Sequence, residues 1–401
     1  MKVIGRVQPV LLYSLISLST LTETIYSSAL PKIASQMNTD GAIAQLSTTA
    51  YYIGFALGIF TLGRMSDIYG RRPIILFGIT FYIIATFLIS QSTMIGAFIA
   101  FRFMQAYGAS VGSVIAQAMA RDSYKGWELS YIYASVSTIM AFVPSIGSAM
   151  GGYIIEYYEE WQYVFRFLIL LSGIMLALYI RYLPETNPYI GAAQSSRFLS
   201  VLKVAMKDKV LLSCAFIVGA YNGVCFGFYI QAPFIFIEEL EMSPATYGRL
   251  FLILSVSNLS GGLIARMLIK KFVSTLKIRK TGFLLSITGC TLLLIGAQSL
   301  PSLEDQVLYS IVLIFGPMAL HLMGHAMVVP MLLRHALEDY SKVTGSAGSI
   351  FGFLYYLITA TVSFIIATFH SHTINNFVYL FALLLLISLV LFYQVILRKQ
   401  K

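Results

Sequence analysis

Long apolar runs, separated by short polar stretches, repeat along the whole chain. A helix needs about 20 apolar residues to cross the hydrocarbon core of a bilayer. Twelve runs approach or exceed that length, at approximately 9–29, 42–62, 73–93, 96–118, 131–154, 161–183, 210–236, 245–268, 279–299, 304–328, 343–367 and 373–397. The pattern therefore predicts an all-α membrane protein with twelve transmembrane helices.

Composition agrees with this interpretation. The chain has 401 residues, of which 58% are hydrophobic and 11% are charged, whereas soluble domains carry about 25% charged residues. Its three cysteines show no metal-ligand spacing. We therefore expect neither a metal site nor a cofactor.

Basic residues collect on one side of the predicted membrane. If the N-terminus is inside, 23 of the 27 lysines and arginines fall in inner segments, including Lys2, Arg398, Lys399 and Lys401 at the two ends. The outer loops are acidic instead: Glu156, Glu159, Glu160, Glu238, Glu239, Glu241, Glu304 and Asp305. This positive-inside asymmetry predicts that both termini are cytoplasmic. It also explains the net charge of +10 without nucleic-acid binding.

The longest hydrophilic stretch, 184–209, divides the predicted helices six and six. We interpret residues 1–183 and 210–401 as two pseudo-symmetric six-helix bundles joined by a cytoplasmic linker. Such duplicated folds place their substrate site between the halves, near the middle of the bilayer.

Segment 63–73 concentrates charge between two apolar runs. Arg64, Asp67, Arg71 and Arg72 cannot lie in hydrocarbon, where each charge costs several kcal/mol. The segment is therefore predicted to be a tight turn at the membrane face.

The spacing Gly63-x3-Asp67-x2-Gly70-Arg71-Arg72 resembles the signature loop of the major facilitator superfamily. Further segments resemble its Bcr/CflA-type drug/proton antiporter branch: Ala29-Leu30-Pro31, Arg102-x2-Gln105-x2-Gly108, Leu183-Pro184-Glu185-Thr186 and Ala232-Pro233-Phe234. The resemblance implies a twelve-helix transporter, and a monomer.

The chain departs from that branch in two places. The branch commonly has an acid seven residues before the proline of its Ala-Leu-Pro segment, where this chain has Thr24, and its acid is Glu23. One residue is about 100° of helix rotation, so Glu23 can face differently. The antiporter motif of the fifth helix usually has a Gly-Pro pair, where this chain has Gly147-Ser148.

Charged residues inside the predicted helices are the candidates for proton coupling. A carboxyl group buried at the depth of Glu23 is suited to carry a proton or to bind a cation; the alternative is a wetted, inert glutamate near the outer end. The resemblance assigns proton coupling to Arg102 and Gln105, whereas a structural arginine bonded to a neighbouring helix is the other interpretation.

Two groups are candidates for the moving parts. Gly63, Asp67, Gly70, Arg71 and Arg72 form either a gate latch or a loop that only sets topology. For Asp67 we expect pairing with an arginine or capping of a helix N-terminus in the facing half. In the fifth helix, glycines permit close helix contact, for sealing, rocking or packing alone. This antiporter-like group is Pro144, Gly147, Gly151 and Gly152.

Polar and aromatic residues at interior depths are the cavity candidates. His321 and His325 are spaced to share one helix face. A proton relay, a contact to a substrate anion, a contact to a metal chelate and two buried structural histidines remain open for them, and the spacing shows no third metal ligand. The other candidates are Tyr26, Tyr52, Tyr221, Asn222, Tyr229, Gln231 and Asn258.

The apolar pattern predicts a multi-pass membrane protein, and the resemblance implies a transporter of the bacterial inner membrane that exports a small organic molecule, such as a drug, siderophore or metabolite, in exchange for protons. Uptake by proton symport or facilitated diffusion is the alternative within transport, and a non-transporting receptor is the alternative outside it. We find no grouping of catalytic residues, so an enzyme is not expected.

Overall fold

The computed structural model describes residues 5–187, 190, 195–299, 307–370 and 374–396. All regular secondary structure in these residues is helical, as predicted. The first eight α-helices are α1 (Pro9–Thr24), α2 (Leu30–Gln36), α3 (Gly41–Tyr69), α4 (Arg71–Ser90), α5 (Ile95–Ala109), α6 (Val111–Ser123), α7 (Gly126–Tyr158) and α8 (Gln162–Tyr182). The others are α9 (Ser195–Ala205), α10 (Lys209–Pro233), α11 (Pro244–Lys270), α12 (Thr275–Ser299), α13 (Val307–Ala336), α14 (Thr344–Thr368) and α15 (Asn375–Leu391).

Short non-α helices continue or interrupt several of these elements. They are 3-10 turns at Ser27–Ala29 and Glu338–Val343, and π-helical turns at Phe234–Glu239 and Phe392–Ile396. Lys2, Glu304, Asp305, Arg398, Lys399 and Lys401, which entered the charge count, lie outside the described residues.

Ten helices within the described ranges are long and apolar enough to cross a membrane. The two remaining predicted segments are interrupted. Segment 9–29 consists of α1 and a 3-10 turn, after which α2 begins with Leu30 and Pro31. Segment 96–118 is divided between α5 and α6 at Ser110, whose hydroxyl donates to the carbonyl of Tyr107 at 2.7 Å. Such back-bonding by serine bends helices.

The charged segment 63–73 is a turn over a shorter stretch than predicted. Helix α3 continues through Arg64 and Asp67 to Tyr69, and α4 begins at Arg71. Only Gly70 separates them, with a φ of +102° that favours glycine. The apolar pattern ends before the helix does because charged side chains occupy the last two turns of α3.

Contacts between helices on either side of 184–209 are most extensive in two pairs, α3 with α14 and α7 with α11. At the end of the molecule opposite segment 63–73, the Glu156 carboxylate accepts from the backbone N–H of Ala245 at 2.9 Å, which joins α7 to the start of α11. Nearby, Gln45 Nε2 donates to the carbonyl of Ile230 at 3.2 Å. These contacts hold the two sides of the chain together at that end.

Candidate functional site

A cavity of about 620 Å³ lies between the helices that precede and follow the linker. Its walls come from α1, α3, α6, α7, α10, α11, α12, α13 and α14. It extends from Glu23, near the end of α1, to Arg266, Arg334 and Glu338. We call the end of the molecule that carries segment 63–73 the loop end. Helices α3, α11 and α13 all finish on that side, so Arg266, Arg334 and Glu338 lie at the loop end. The volume suits an organic molecule of drug size.

Glu23 faces this cavity, although only 6% of it is exposed. The hydroxyl of Tyr356 on α14 donates to Glu23 Oε1 at 3.3 Å, so the carboxyl is bonded across the two sides of the chain. Thr24 is fully buried against α7, where its Oγ1 lies 2.5 Å from the position that a Cβ would take at Gly147. The one-residue shift therefore points the acid into the cavity and the threonine into a helix contact.

Arg102 is fully buried and lies behind the cavity wall. Its Nη1 donates to Gln105 Oε1 at 2.5 Å, and Gln105 Nε2 donates to Thr86 Oγ1 at 2.9 Å. Its guanidinium carbon sits 3.8 Å from the ring centroid of Tyr26 and 4.4 Å from that of Tyr51. Stacking on two rings stabilises the cation without a carboxylate partner. Arg102 and Gln105 thus lie in direct contact on α5.

Aromatic rings connect the surroundings of Arg102 with those of Glu23. Tyr51 packs edge-on against Tyr52, with centroids 5.8 Å apart, and Tyr52 lies 6.2 Å from Tyr356. Phe55 lies 4.6 Å from Tyr356. The two charged residues therefore belong to one cluster but make no hydrogen bond to each other among the described contacts.

The opposite wall presents amides and a histidine. His325 Nε2 is 2.9 Å from Asn222 Oδ1, and both residues line the cavity together with Asn258. Tyr229 also lines it, and its hydroxyl lies 3.2 Å from Ser145 Oγ on α7. This side offers several neutral hydrogen-bonding groups beside aromatic surface.

Not every predicted cavity residue reaches the cavity. Tyr26 and Tyr52 are buried in the aromatic cluster, Tyr221 packs on Phe283, and Gln231 accepts from Gln45 at 3.1 Å. His321 lies between the rings of Tyr221 and Phe381, with centroids 5.1 Å and 4.6 Å away.

The two histidines of α13 therefore do not act as a pair on the cavity, because only His325 lines it. In the described part of the chain, no group of three His, Cys, Asp or Glu side chains could hold a metal ion.

Several lining residues were not predicted from the sequence: Phe55, Gln117, Ser137, Cys225, Phe226, Ser255, Arg266, Arg279, Arg334, Tyr355 and Tyr356. Aromatic residues are so frequent in the chain that composition does not separate cavity rings from lipid-facing rings. The arginines were counted only as topological charges. That Arg266, Arg279 and Arg334 all line one cavity depends on how α11, α12 and α13 pack.

The signature segment forms a charge cluster at the loop end. Arg71 pairs with Asp67 and, through Nε, with Asp122 at 3.2 Å. Asp122 lies beyond the fourth predicted apolar segment, and burial raises the pKa of its carboxyl although Arg71 opposes that shift. Asp67 thus pairs with an arginine, as expected. The described partner of its carboxylate is Arg71, on its own side of the linker, and no described contact joins that carboxylate to a helix of the facing half.

Glu185 completes this cluster. Its two carboxylate oxygens accept from the backbone N–H groups of Arg71 and Arg72 at 3.0 and 3.1 Å, and therefore cap the N-terminus of α4. A Cβ at Gly70 would lie 2.5 Å from Glu185 Oε2. Glycine at position 70 thus allows the positive φ of the turn and leaves space for the Glu185 carboxylate. The contact between Glu185 and the start of α4 links the signature segment to the Leu-Pro-Glu-Thr segment.

The glycines of α7 allow two other helices to approach it. A Cβ at Gly151 would overlap the carbonyl oxygen of Ile25, after the end of α1, and a Cβ at Gly152 would overlap that of Pro244 at the start of α11. Pro144, one turn earlier than Gly147, lines the cavity. The antiporter-like group is therefore where α1, α7 and α11 meet.

Comparison with known proteins defines the class. The family profile of the Major Facilitator Superfamily matches residues 12–363. An uncharacterized transporter of Rickettsia bellii is 48% identical over 402 residues, covering 100% of this chain and 99% of the relative. A chloramphenicol resistance protein of Pseudomonas aeruginosa is 27% identical, covering 83% and 77%. Multidrug resistance protein D of Escherichia coli is 25% identical, covering 85% and 84%.

Solved structures share the fold. The crystal structure of a D-xylose-proton symporter superposes with a TM-score of 0.74 at 13% identity and 96% coverage of both chains. The protein is thus a multi-pass α-helical membrane transporter, and not an enzyme. The chain belongs to the Major Facilitator Superfamily, which confirms the resemblance found in segment 63–73.

Proposed function

We propose that the protein exports a small organic molecule across the bacterial inner membrane in exchange for protons. One observation carries this proposal: Glu23 lies in the cavity and is hydrogen-bonded to Tyr356 on the other side of the chain. A carboxyl group placed there can bind either cargo or a proton, and the two compete for it. The names of the drug-resistance relatives favour export.

The proposed architecture has twelve spans in two six-helix bundles, 1–183 and 210–401, joined by the linker 184–209. Both termini and the loop end face the cytoplasm, in agreement with the distribution of basic residues. The cavity then opens inward, and the contacts of Glu156 and Gln45 close the outer side. The protein functions as a monomer in the lipid bilayer.

The transport cycle follows alternating access. In the inward-facing state, ionised Glu23 and the amides of the opposite wall bind cargo from the cytoplasm. The two bundles then rock about the α3–α14 and α7–α11 contacts. A proton from outside binds Glu23 and releases the cargo. Arg102 and Gln105 set the charge around this proton site, and the glycines of α7 allow α1 and α11 to slide against it.

Segment 63–73 acts as the inner gate latch in this cycle. In the inward-facing state its charges are paired within the first bundle. Gly63 is already close to α14, because a Cβ built at Gly63 would lie 3.9 Å from the Cβ of Ser349. When the inner side closes, Asp67 approaches the N-terminus of α14, whose partial positive charge favours a carboxylate.

The test uses proteoliposomes with an imposed pH gradient and labelled chloramphenicol, chosen because a relative is named for resistance to it. Other compounds enter the same assay if they raise the melting temperature of the purified protein. We expect cargo to move towards the acidic side. Glu23→Gln should lower this gradient-driven movement at least tenfold, because the amide can neither carry the proton nor pair with cargo as the carboxylate does.

Glu160→Gln is the matched control, because Glu160 is exposed at the far end of the molecule and does not line the cavity. Movement of cargo in the same direction as protons would identify a symporter. Cargo flux that does not depend on the proton gradient would identify a facilitator. Binding without flux would identify a receptor. Each of these three outcomes contradicts the proposed antiport, as does full gradient-driven transport by Glu23→Gln.

A further inference from the structure

The last turn of α7 carries an acid that is unfavourable for its own helix. The C-terminus of a helix holds partial negative charge, which repels a carboxylate. Glu156 lies two residues before the end of α7, yet its Oε2 accepts from the backbone N–H of Ala245, beyond the linker, at 2.9 Å. The side chain of Ser243 and the charge of Arg249 attract the same carboxylate. The acid therefore stabilises the start of α11 and not the end of α7.

The first turn of α11 uses this acceptor. The opening N–H groups of a helix have no partner inside that helix. Pro244 has no N–H, and the N–H of Thr246 donates to Ser243 Oγ at 3.3 Å. Of the first three residues of α11, Ala245 is thus the one whose N–H is bonded from outside the helix, by Glu156.

The end of α3 has the same arrangement at the loop end. Asp67 follows Gly63 by four residues, as Glu156 follows Gly152, and residues four apart share one helix face. Both glycines face a helix that lies beyond the linker. A Cβ at Gly152 would overlap the start of α11, and a Cβ at Gly63 would lie 3.9 Å from the Cβ of Ser349 on α14.

Asp67 lies level with the start of α14. Helices α3 and α14 are antiparallel, because Thr49 bonds to Ser363 near one end and Gly63 lies beside Ser349 near the other. Asp67 is one turn beyond Gly63 towards the loop end, and α14 begins five residues before Ser349. The two acids thus occupy matching positions at opposite ends of the molecule.

The closed end is latched in this form, and the loop end is not. The residue before α14 is Val343, which has no side-chain acceptor, and no side-chain hydrogen bond caps α14 among the described residues. The carboxylate of Asp67 is paired with Arg71, on its own side of the linker. Glu156, by contrast, is bonded to Ala245 beyond the linker.

We infer that Glu156 is the latch of the closed end and the counterpart of Asp67. Each acid ends a helix that precedes the linker, binds the start of a helix that follows it, and is engaged when the other is released. The bond of Glu156 favours the form in which the cavity is open at the loop end, and the bond of Asp67 favours the opposite form. The inference rests on the proposed latch role of Asp67 and adds a second positioning residue that balances it.

The opening of the closed end measures this balance without cargo or a gradient. The reporter is Gln45→Cys in a background where Cys214, Cys225 and Cys290 are changed to alanine. Position 45 is fully buried and does not line the cavity. N-ethylmaleimide in detergent should therefore alkylate it only when the closed end opens. All variants carry this reporter, so the lost contact of Gln45 is common to them.

Glu156→Ala should raise the alkylation rate about fivefold, which corresponds to the loss of one helix cap. Glu156→Gln should raise it less, because the amide oxygen can still accept from Ala245. Adding Asp67→Ala to Glu156→Ala should return the rate to within about twofold of the reporter protein, because the opposing latch is then lost as well. Asp67→Asn, which keeps the size and loses the charge, should do so in part. Glu160→Ala removes an exposed acid at the same end and should leave the rate unchanged.

An alkylation rate in Glu156→Ala no higher than in Glu160→Ala would overturn the inference. So would a rate that stays the same or rises further when Asp67→Ala is added, because a protein that is merely loosened becomes more reactive with each change. The melting temperature of the double variant should not exceed that of either single variant, so its slower alkylation cannot come from a more stable fold.

These results leave the proposed antiport untouched, because that depends on proton-driven flux through Glu23. Conversely, the two latches can balance each other in a protein that proves to be a symporter.

Discussion

At the scale of single residues, the direction of a side chain decides its role. Glu23 and Thr24 are neighbours in α1, yet one faces the cavity and the other packs against Gly147. The sequence showed an acid displaced by one position from the family pattern. It could not show which of the two positions faces inward, because that depends on how α1 is rotated against α7.

Gly151→Ala is expected to destabilise the protein, because the new Cβ would overlap the backbone carbonyl of Ile25. Backbone cannot move aside as a flexible side chain can, so α1 and α7 must separate, at a cost of about 1–3 kcal/mol or more. Thermal unfolding in detergent should show a lower melting temperature, and transport should fall.

Gly173→Ala in α8 is the matched control, since no described heavy atom lies within 4 Å of its would-be Cβ. That variant should unfold at or slightly above the temperature of the unchanged protein, because alanine is the better helix former. Equal stability of the two variants would show that α1 and α7 do not approach as closely as described.

At the scale of elements, helix ends carry much of the specific bonding. Glu185 caps α4 and Glu156 contacts the start of α11, so two acids outside the cavity fix where helices begin. The sequence indicated Leu183-Pro184-Glu185-Thr186 only as a family segment. Its partner, the start of α4, lies more than a hundred residues earlier in the chain. Local pattern therefore could not identify the contact.

Glu185→Ala should weaken the loop end, because the backbone N–H groups of Arg71 and Arg72 lose their acceptors. Loss of a helix cap costs about 0.5–2 kcal/mol. We expect a lower melting temperature and faster hydrogen exchange at the first turn of α4. Glu160→Ala removes an exposed acid at the opposite end and should change neither. Unchanged exchange in Glu185→Ala would argue against the cap.

At the scale of the whole molecule, the cavity reaches the loop end while the opposite end is held closed. Gln45 on α3 and Gln231 on α10 are in contact at that closed end, 3.1 Å apart. Alternating access requires this contact to break in every cycle. A permanent link here should therefore trap the form in which the cavity is open at the loop end.

Gln45→Cys and Gln231→Cys, in a background without other cysteines, should be joined by a short reducible bifunctional thiosulfonate. Transport should then be lost, because the closed end of the cavity cannot open, and should return on reduction. The single variants treated in the same way should remain active. Full transport by the linked protein would contradict a rocking mechanism in which these residues part.

The sequence by itself determined that the protein crosses a membrane many times, where its apolar helices lie and how its charge is distributed, because these follow from composition and local pattern. The class of transporter came from the resemblance of segment 63–73 to a known signature. It also indicated Glu23, Asn222, Tyr229, Asn258 and His325 as interior residues, and all five line the cavity.

Only the tertiary structure decided that His321, Tyr221 and Gln231 lie outside this cavity, that Glu185 caps α4, and that three arginines face one space. The physical reason is that these facts depend on the rotation and packing of helices distant in the chain. An apolar helix in a membrane has little periodic contrast between its faces, so its sequence does not show which face meets lipid and which meets a cavity.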